Sequence, residues 1–564
     1  MSVAVSRFGV TAVLMLVCGA SVAAEPSITS FTPKRAHLGD HVVITGTGFT
    51  GTHHVTIGGT SAHFKLVSPT QISATIPATA SGPIDITTQT GSVSTGNATV
   101  TILPSVVLSA GTVQPGTTIT LTGAGFPAYS TIDVYIDATD EALTVTNNAG
   151  VFTGTLPVPS STQPGPHWVT LDQRGQHYGA QALLTIDTDW VQNGFNASGQ
   201  NDNPFENTLT DRTVGQLSPV WLSNSSQYAN AQPLAIAGGV TFVADEEGNA
   251  HAYSPSGALL WTASLGAAII VPVDPVVSGN LVIFADSTAL SAYHVNCGTG
   301  GATCKPAWTK TLPVAVTAGL SLHNGTIYVP GADGQVRPVN PTTGAVGTPF
   351  YAYTTTQGAV TTPVHFSLDG SYFYGTATSF QAANPAYGAT YTNYGLYYPS
   401  AGAVLGNLAY FTSGDGYLRN TAYASPISIG SAGCTPAPAL ANGYVYAAGC
   451  DTVGAYSPHN GSTVWTATGF SVIMGLAVAG DLLYVCGDYQ MNIFDANYGS
   501  LLWSGGQCST SPVVVNGTVY MSEADVSAYT INGTVQPAIK HAPDPAALRP
   551  NLALVAQRTP DQLN

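Results

Sequence analysis

From Pro26 to about Thr101 apolar and polar residues alternate between turns. Val42-Val43-Ile44-Thr45, Val55-Thr56-Ile57, Ile72-Ser73-Ala74-Thr75-Ile76 and Ile84-Asp85-Ile86 are separated by Gly39-Asp40, Gly58-Gly59 and Gly82-Pro83. Successive side chains on a strand point to opposite faces, so such runs read as short strands with one buried face. Short strands at regular spacing with turn residues between them predict a β-sandwich. The pattern then begins again. Pro104-Ser105 stands 78 residues after Pro26-Ser27, Gly116 stands 77 after Gly39, and Thr122-Gly123-Ala124-Gly125-Phe126 stands 77 after Thr45-Gly46-Thr47-Gly48-Phe49. Two sandwiches are expected, over 25–102 and 103–187.

A second period governs the rest of the chain. In Ala441-Asn442-Gly443-Tyr444-Val445-Tyr446, Ala479-Gly480-Asp481-Leu482-Leu483-Tyr484 and Val515-Asn516-Gly517-Thr518-Val519-Tyr520 an apolar strand meets a glycine turn and a second strand follows; Gly443, Gly480 and Gly517 are 37 residues apart. The same turn recurs upstream at Gly406, Gly370, Gly325, Gly279 and Gly239, which makes eight copies. A period of about 40 residues with several strands per copy is that of a β-propeller. The last copy lacks a closing Trp strand, whereas Pro219-Val220-Trp221 is a Trp strand with no copy before it. Pairing the two closes the ring and removes both sheet edges. The expected fold is all-β: two sandwiches, a polar connector over 188–217, and a propeller over 218–538 with eight blades, seven being the alternative. A tail over 539–564, rich in Pro, Ala and polar residues, is expected to be disordered.

Residues 1–24 place Arg7 before the apolar run Val10 to Val17 and the small residues Ser21-Val22-Ala23-Ala24, the form of a secretory leader. Cys18 follows Val17, where a lipid-attachment site wants a small residue. No other run is long enough to span a bilayer, so no membrane insertion is expected. A formal net charge of −16 argues against nucleic-acid binding. Six of the seven cysteines lie after the leader, and an even number in an oxidising compartment implies disulfides. Cys434 and Cys450 lie about symmetrically around the Asn442-Gly443 turn, Cys297 and Cys304 close a short Gly-rich loop, and Cys486 is left with Cys508. There is no Cys-x-x-Cys and no nearby His pair to suggest zinc.

The Pro26 start, Gly39, the Thr45-Gly46-Thr47-Gly48-Phe49 element, Gly58-Gly59 and Ile76-Pro77 resemble the IPT/TIG family of immunoglobulin-like domains. The second sandwich resembles exported bacterial Ig-like modules. The runs Gly257-Ala258-Leu259-Leu260-Trp261, Gly461-Ser462-Thr463-Val464-Trp465 and Gly499-Ser500-Leu501-Leu502-Trp503 resemble PQQ-like repeats, in which a Trp docks between blades; the third, fourth and fifth repeats lack it. This likeness implies either a quinoprotein dehydrogenase, with pyrroloquinoline quinone and Ca²⁺ in the funnel, or a non-enzymatic BamB-like envelope scaffold. Quinoproteins of this kind carry a disulfide between adjacent cysteines and a basic residue near the quinone. No two cysteines are adjacent here and Lys plus Arg number 13, so the scaffold is favoured and no cofactor is expected.

Several residues carry two readings. Asp245-Glu246-Glu247-Gly248-Asn249 could belong to a calcium loop, but Asp333-Gly334 and Asp415-Gly416 recur at the same repeat position, which favours a turn. His53 and His54, with His41 and His63, would need a bulge to share a metal. The glycosylation-like Asn324, Asn460, Asn516 and Asn532 also fit turns. Tyr387, Tyr391, Tyr394, Tyr397 and Tyr398 read as a loop cluster able to stack on sugars or anchor a protein. No catalytic residue, paired carboxylate or metal site stands out. The expected function is an exported binding or scaffolding protein of the bacterial periplasm or cell surface, with an envelope or extracellular protein or a glycan as partner; the alternative is a propeller enzyme, either quinone-dependent or carbohydrate-active.

Overall fold

In the computed structural model the described residues are 24–531 except 177, 224–232, 270–272, 352–357, 385–388, 395 and 423–424, with backbone alone described over 389–394. The expected leader up to Ala23, the expected tail and Tyr387 therefore lie outside the described residues.

The first sandwich packs the sheet of Ser27–Thr32, His41–Thr47, Gln71–Thr75 and Phe64–Ser68 against that of Thr60–Ser61, His54–Ile57, Ile84–Thr88 and Gly91–Ser94. Val42, Ile44 and Ile72 point inward from one sheet to meet Val55, Ile57, Ile84 and Ile86 of the other. Gly46 is small for a reason: a Cβ there would lie 1.9 Å from the Ser27 carbonyl oxygen and 2.6 Å from the Phe49 ring. The second sandwich repeats this with Gly123, whose Cβ would lie 2.2 Å from Phe152. Tyr178 ties the two together, its hydroxyl donating to the carbonyls of Gly125 at 3.1 Å and Ile102 at 3.4 Å.

C-terminal to these, eight sheets follow one another among the described residues. Their first strands are Ala235–Ala237, Val276–Ser278, Ser321–His323, His365–Phe366, Ala403–Leu405, Ala439–Ala441, Ile473–Ala479 and Val513–Val515. Each pairs antiparallel with its successor across a short turn, and further strands add outward in sequence order. The eighth sheet takes its outer strand, Leu217–Leu222, from the front of the chain, with Leu217 opposite Ile531 and Trp221 opposite Ala528. Trp221 then stacks on Tyr253 of the first sheet, 5.8 Å between centroids, so the ring is closed by packing as well as by strand exchange. At five of the joints between neighbouring sheets an indole makes the link. Trp261 is fully buried and its Nε1 donates to the Val295 carbonyl of the next sheet at 3.0 Å.

The innermost strand of each sheet has one unpaired edge, and a buried unpaired amide is costly. The connector meets that need in order around the ring. The carbonyls of Trp190, Val191, Ala197, Ser198, Gln200 and Asn201 accept from the amides of Ile236, Val277, Phe366, Val404, Leu440 and Val478 at 2.8–2.9 Å. The Gln192 side chain takes the amide of Leu322, and Asn203 Nδ2 donates to the Val514 carbonyl at 2.8 Å. Fourteen residues, 190–203, thus touch all eight inner strands and lie across one mouth of the ring. The sequence shows only a polar link here; the fold makes it a stopper.

Burial raises the proton affinity of the carboxylates in and around the stopper. Desolvation pushes Asp187 up to about 6, helped by Asp189 and opposed by the hydrogen bond from Asn516; it pushes Asp202 up to about 7 and Asp274, which accepts from Asn193 at 3.0 Å, to about 6. Glu206 is raised too, although its oxygens accept from the amides of Thr208, Leu209 and Gly517.

A carboxylate whose folded pKa is raised stays protonated where the unfolded chain has released its proton, so its cost grows as pH rises from about 4 to 7. His365, held down to about 4 by burial, acts oppositely as pH falls below about 6.5. Comparison at fixed pH isolates one group: Asp202→Asn should raise the melting temperature more at pH 8 than at pH 5, the difference being the equivalent of about 1–3 kcal/mol. Trp261→Ala should cost about 3–5 kcal/mol in denaturant unfolding, while exposed Val464→Ala stays within about 0.5 kcal/mol.

Candidate interaction face of the propeller

The two ends of the ring differ. At the end where the first and second strands of each sheet turn, the stopper fills the mouth and the second sandwich is clamped beside it. Asn207 Nδ2 donates to the Thr162 carbonyl at 2.8 Å, and Thr208 Oγ1 donates to Gln163 Oε1 at 3.1 Å. The opposite end, built from the turns between second and third strands and the crossings between sheets, carries no sandwich.

On that open face the turn between second and third strands carries an aspartate in seven of the eight sheets, Asp245, Asp286, Asp333, Asp415, Asp451, Asp488 and Asp525, though not at one register position; the fourth has Thr376. These side chains hold their turns. Asp245 accepts from the Asn249 amide at 2.7 Å and from His251 Nε2 at 3.1 Å, Asp286 from the amides of Thr288 and Ala289 at 2.7 Å, and Asp488 from those of Ser471 and Val472. Asp333 and Asp415 are paired with Arg337 and Arg419. The Arg337 hydrogen bond keeps Asp333 below the usual carboxylate range; Asp415 is held low by hydrogen bonds from Arg419 and Ser413, which outweigh its desolvation. Asp245, considered above for calcium, thus has its oxygens engaged by its own hairpin.

Exposed aromatic surface rises from this face beside the fifth sheet. Tyr397 and Tyr398 are 61% and 53% exposed and meet edge-to-face at 5.1 Å, a large contact area left in water. They are held from below: a Cβ on Gly414 would lie 2.6 Å from the Tyr397 ring, and the Gly414 amide donates to the Tyr397 carbonyl. Tyr489, 56% exposed, stands on the acidic turn of the seventh sheet. The sequence signal for Tyr489 was weak, a lone Tyr after Asp488.

The predicted tyrosine cluster is not one loop. Ala389–Tyr394 is the outer strand of the fourth sheet, with Tyr391 opposite Ala382. That puts Tyr391 and Tyr394 in the blade, Tyr391 at the register position that holds Trp in other blades, and leaves Tyr397 and Tyr398 as the surface pair. The strand signal in this run is short, Ala389 and Tyr391 alternating with Thr390 and Thr392.

The cysteines pair as expected, Cys297 with Cys304, Cys434 with Cys450 and Cys486 with Cys508. His53 and His54 are exposed, and His41 Nδ1 lies 3.3 Å from Thr75 Oγ1. Asn324 and Asn516 adopt φ of +46° and +53° in their turns, and Asn460 Oδ1 accepts from the Ser462 amide. Among the described residues no group of three or more His, Cys, Asp or Glu is placed to hold a metal, and no helix is long and apolar enough to cross a membrane.

Comparison with known proteins agrees with this architecture. Residues 26–103 match the IPT/TIG domain, and residues 210–361 and 431–555 match the family of outer membrane protein assembly factor BamB. No curated protein matches the chain. Similar solved structures include BamB from Moraxella catarrhalis, 16% identical over 56% of this chain and 98% of that one with a TM-score of 0.44. Others are a computationally designed protein, Ika8, 16% identical over 54% and 97% with a TM-score of 0.46, and quinohemoprotein alcohol dehydrogenase from Comamonas testosteroni, 11% identical over 62% and 81% with a TM-score of 0.49. The chain carries an N-terminal IPT/TIG domain and, beyond a second Ig-like sandwich, a propeller of BamB-like PQQ repeats.

Proposed function

We propose that this is an exported, non-enzymatic binding or scaffolding protein of the bacterial envelope or cell surface, whose open propeller face takes a protein or glycan partner. The observation that carries the reading is the asymmetry of the ring. One mouth is filled by the chain's own residues 190–203, and the other presents Tyr397 and Tyr398 as an exposed edge-to-face pair. Tyrosine offers a flat apolar face with a polar tip, which suits both a peptide anchor and a sugar ring. The match to an outer membrane assembly factor favours a protein as partner. Three disulfides favour an oxidising compartment.

The reading requires no quinone. All six cysteines after the leader are engaged in bridges between non-adjacent residues, so the adjacent-cysteine disulfide of the enzymes is absent. Near the axis Asp274 is bonded to Asn193, and His365 donates from Nδ1 to the Gly402 carbonyl with Gly199 against its ring. These groups hold the stopper and do not converge as metal ligands.

The test is to present immobilised mature protein with envelope-protein extract and with a glycan array, and then to titrate the captured ligand. Tyr397→Ala combined with Tyr398→Ala should weaken binding at least about 10-fold with no change in melting temperature. Unchanged affinity would place the contact elsewhere. Saturable binding of about one equivalent of pyrroloquinoline quinone with Ca²⁺, at micromolar affinity or tighter, would overturn the non-enzymatic reading.

A further inference from the structure

Five blades present a tryptophan to the next, and strand register gives its place. Counting outward from the second strand, the pairings run Phe242–Ala252–Trp261, Ile283–Ala292–Trp308, Tyr446–Ala455–Trp465, Tyr484–Ile493–Trp503 and Tyr520–Ala528–Trp221. The receiving loop is also repeated. Trp221, Trp308 and Trp465 donate from Nε1 to the carbonyls of Pro255, Pro341 and Ala496 at 3.1, 2.9 and 2.8 Å, and their rings lie against Gly257, Gly344 and Gly499, three residues further on or two.

The joint between the fifth and sixth blades keeps the receiving loop and lacks the tryptophan. Tyr410 pairs with Asn420, Tyr417 with Ser428 and Leu418 with Ile427; the same antiparallel register carried two residues further sets Ser425 against Asn420, and both line the pocket at this joint. Serine thus stands where the indole stands elsewhere. In the sixth blade Ser457-Pro458-His459-Asn460-Gly461 matches Asn340-Pro341-Thr342-Thr343-Gly344 of the third, residue for residue at Pro and Gly. The Tyr410 hydroxyl donates to the Pro458 carbonyl at 3.1 Å, which leaves that oxygen a second lone pair. Ile427 lies against Gly461 through Cδ1 and Cγ1, on the glycine face where the sister joints seat an indole. What remains is a pocket of about 210 Å³ bounded by Leu418, Ser425, Ile427, Val445, Pro458 and Gly461.

We infer that this joint is a binding site for the tryptophan side chain of a partner polypeptide. The occupant is identified by the sister joints: the same Pro carbonyl and the same Gly, at the same register, hold an indole in this very molecule. A partner tryptophan lies on Gly461 after Ile427 turns aside, and donates from Nε1 to the Pro458 carbonyl. Nothing in this depends on the tyrosine face, which lies at the end of the ring and not in the joint.

The probe is N-acetyl-tryptophanamide, titrated into the mature protein carrying ¹³C-labelled isoleucine methyl groups. The Ile427 methyl resonance, assigned by its loss in Ile427→Val, should shift saturably with a Kd on the order of 0.1–1 mM. N-acetyl-leucinamide should leave it in place. Ser425→Trp supplies the missing indole from within and should abolish the shift; if that variant fails to fold, Ser425→Phe should weaken binding at least about 10-fold. An Ile427 resonance that does not respond, an equal response to the leucine probe, or binding that persists in a folded Ser425→Trp protein would each overturn the assignment.

Discussion

The ring depends on satisfying the inner edges of its sheets. A radial array of sheets turns one unpaired strand edge from each blade toward a common axis, where water is scarce and neighbouring strands are too splayed to pair with one another. Residues 190–203 answer all eight in sequence, mostly through single backbone hydrogen bonds, each contributing on the order of 1 kcal/mol net and avoiding a larger penalty if left unmade. Because this segment belongs to the link between sandwich and propeller, the same bonds orient the arm: Asn207 and Thr208, a few residues on, bind the second sandwich. Ring closure, the stopper and placement of the arm are consequences of one path of the chain.

Around the circumference a different force acts. Adjacent sheets meet through apolar area, and the indoles make the joints specific by adding one directed hydrogen bond to a loop carbonyl. Where tryptophan is lost the joints are rebuilt differently. Phe350, Tyr328, Tyr372 and Phe366 form an aromatic cluster between the third and fourth blades, and Phe380 stacks on Phe411 at 3.9 Å between the fourth and fifth. The next joint is left with a pocket. The irregular third of the ring is therefore where its surface departs most from plain repeat architecture, and Tyr397 and Tyr398 rise from the same sector.

Polar groups in this protein are chiefly engaged with its own backbone. The recurring aspartates cap hairpins, the buried carboxylates secure the stopper, and Arg337 and Arg419 are committed to Asp333 and Asp415. With charged residues at only 7% of the chain, few ionisable groups remain for chemistry, which accords with a surface that works by contact area.

Sequence alone determined what recurs locally. Alternation marked the sandwich strands, glycine spacing marked the blades, and the symmetric cysteines found their partners, because each signal lies within one hairpin or between neighbouring ones. The Trp221 strand was legible as a missing edge. In sequence the tyrosine group looks like one loop because the strand Ala389–Tyr394 has polar residues where a core strand would have apolar ones. Tertiary structure decided the rest. The stopper contacts partners between 46 and 311 residues away through one residue each, Trp190 to Ile236 and Asn203 to Val514 being the extremes. Such bonds leave no period in the chain, since a carbonyl is the same in every residue; only the closed ring makes those positions converge, and only the register across it shows that Ser425 occupies a tryptophan's place.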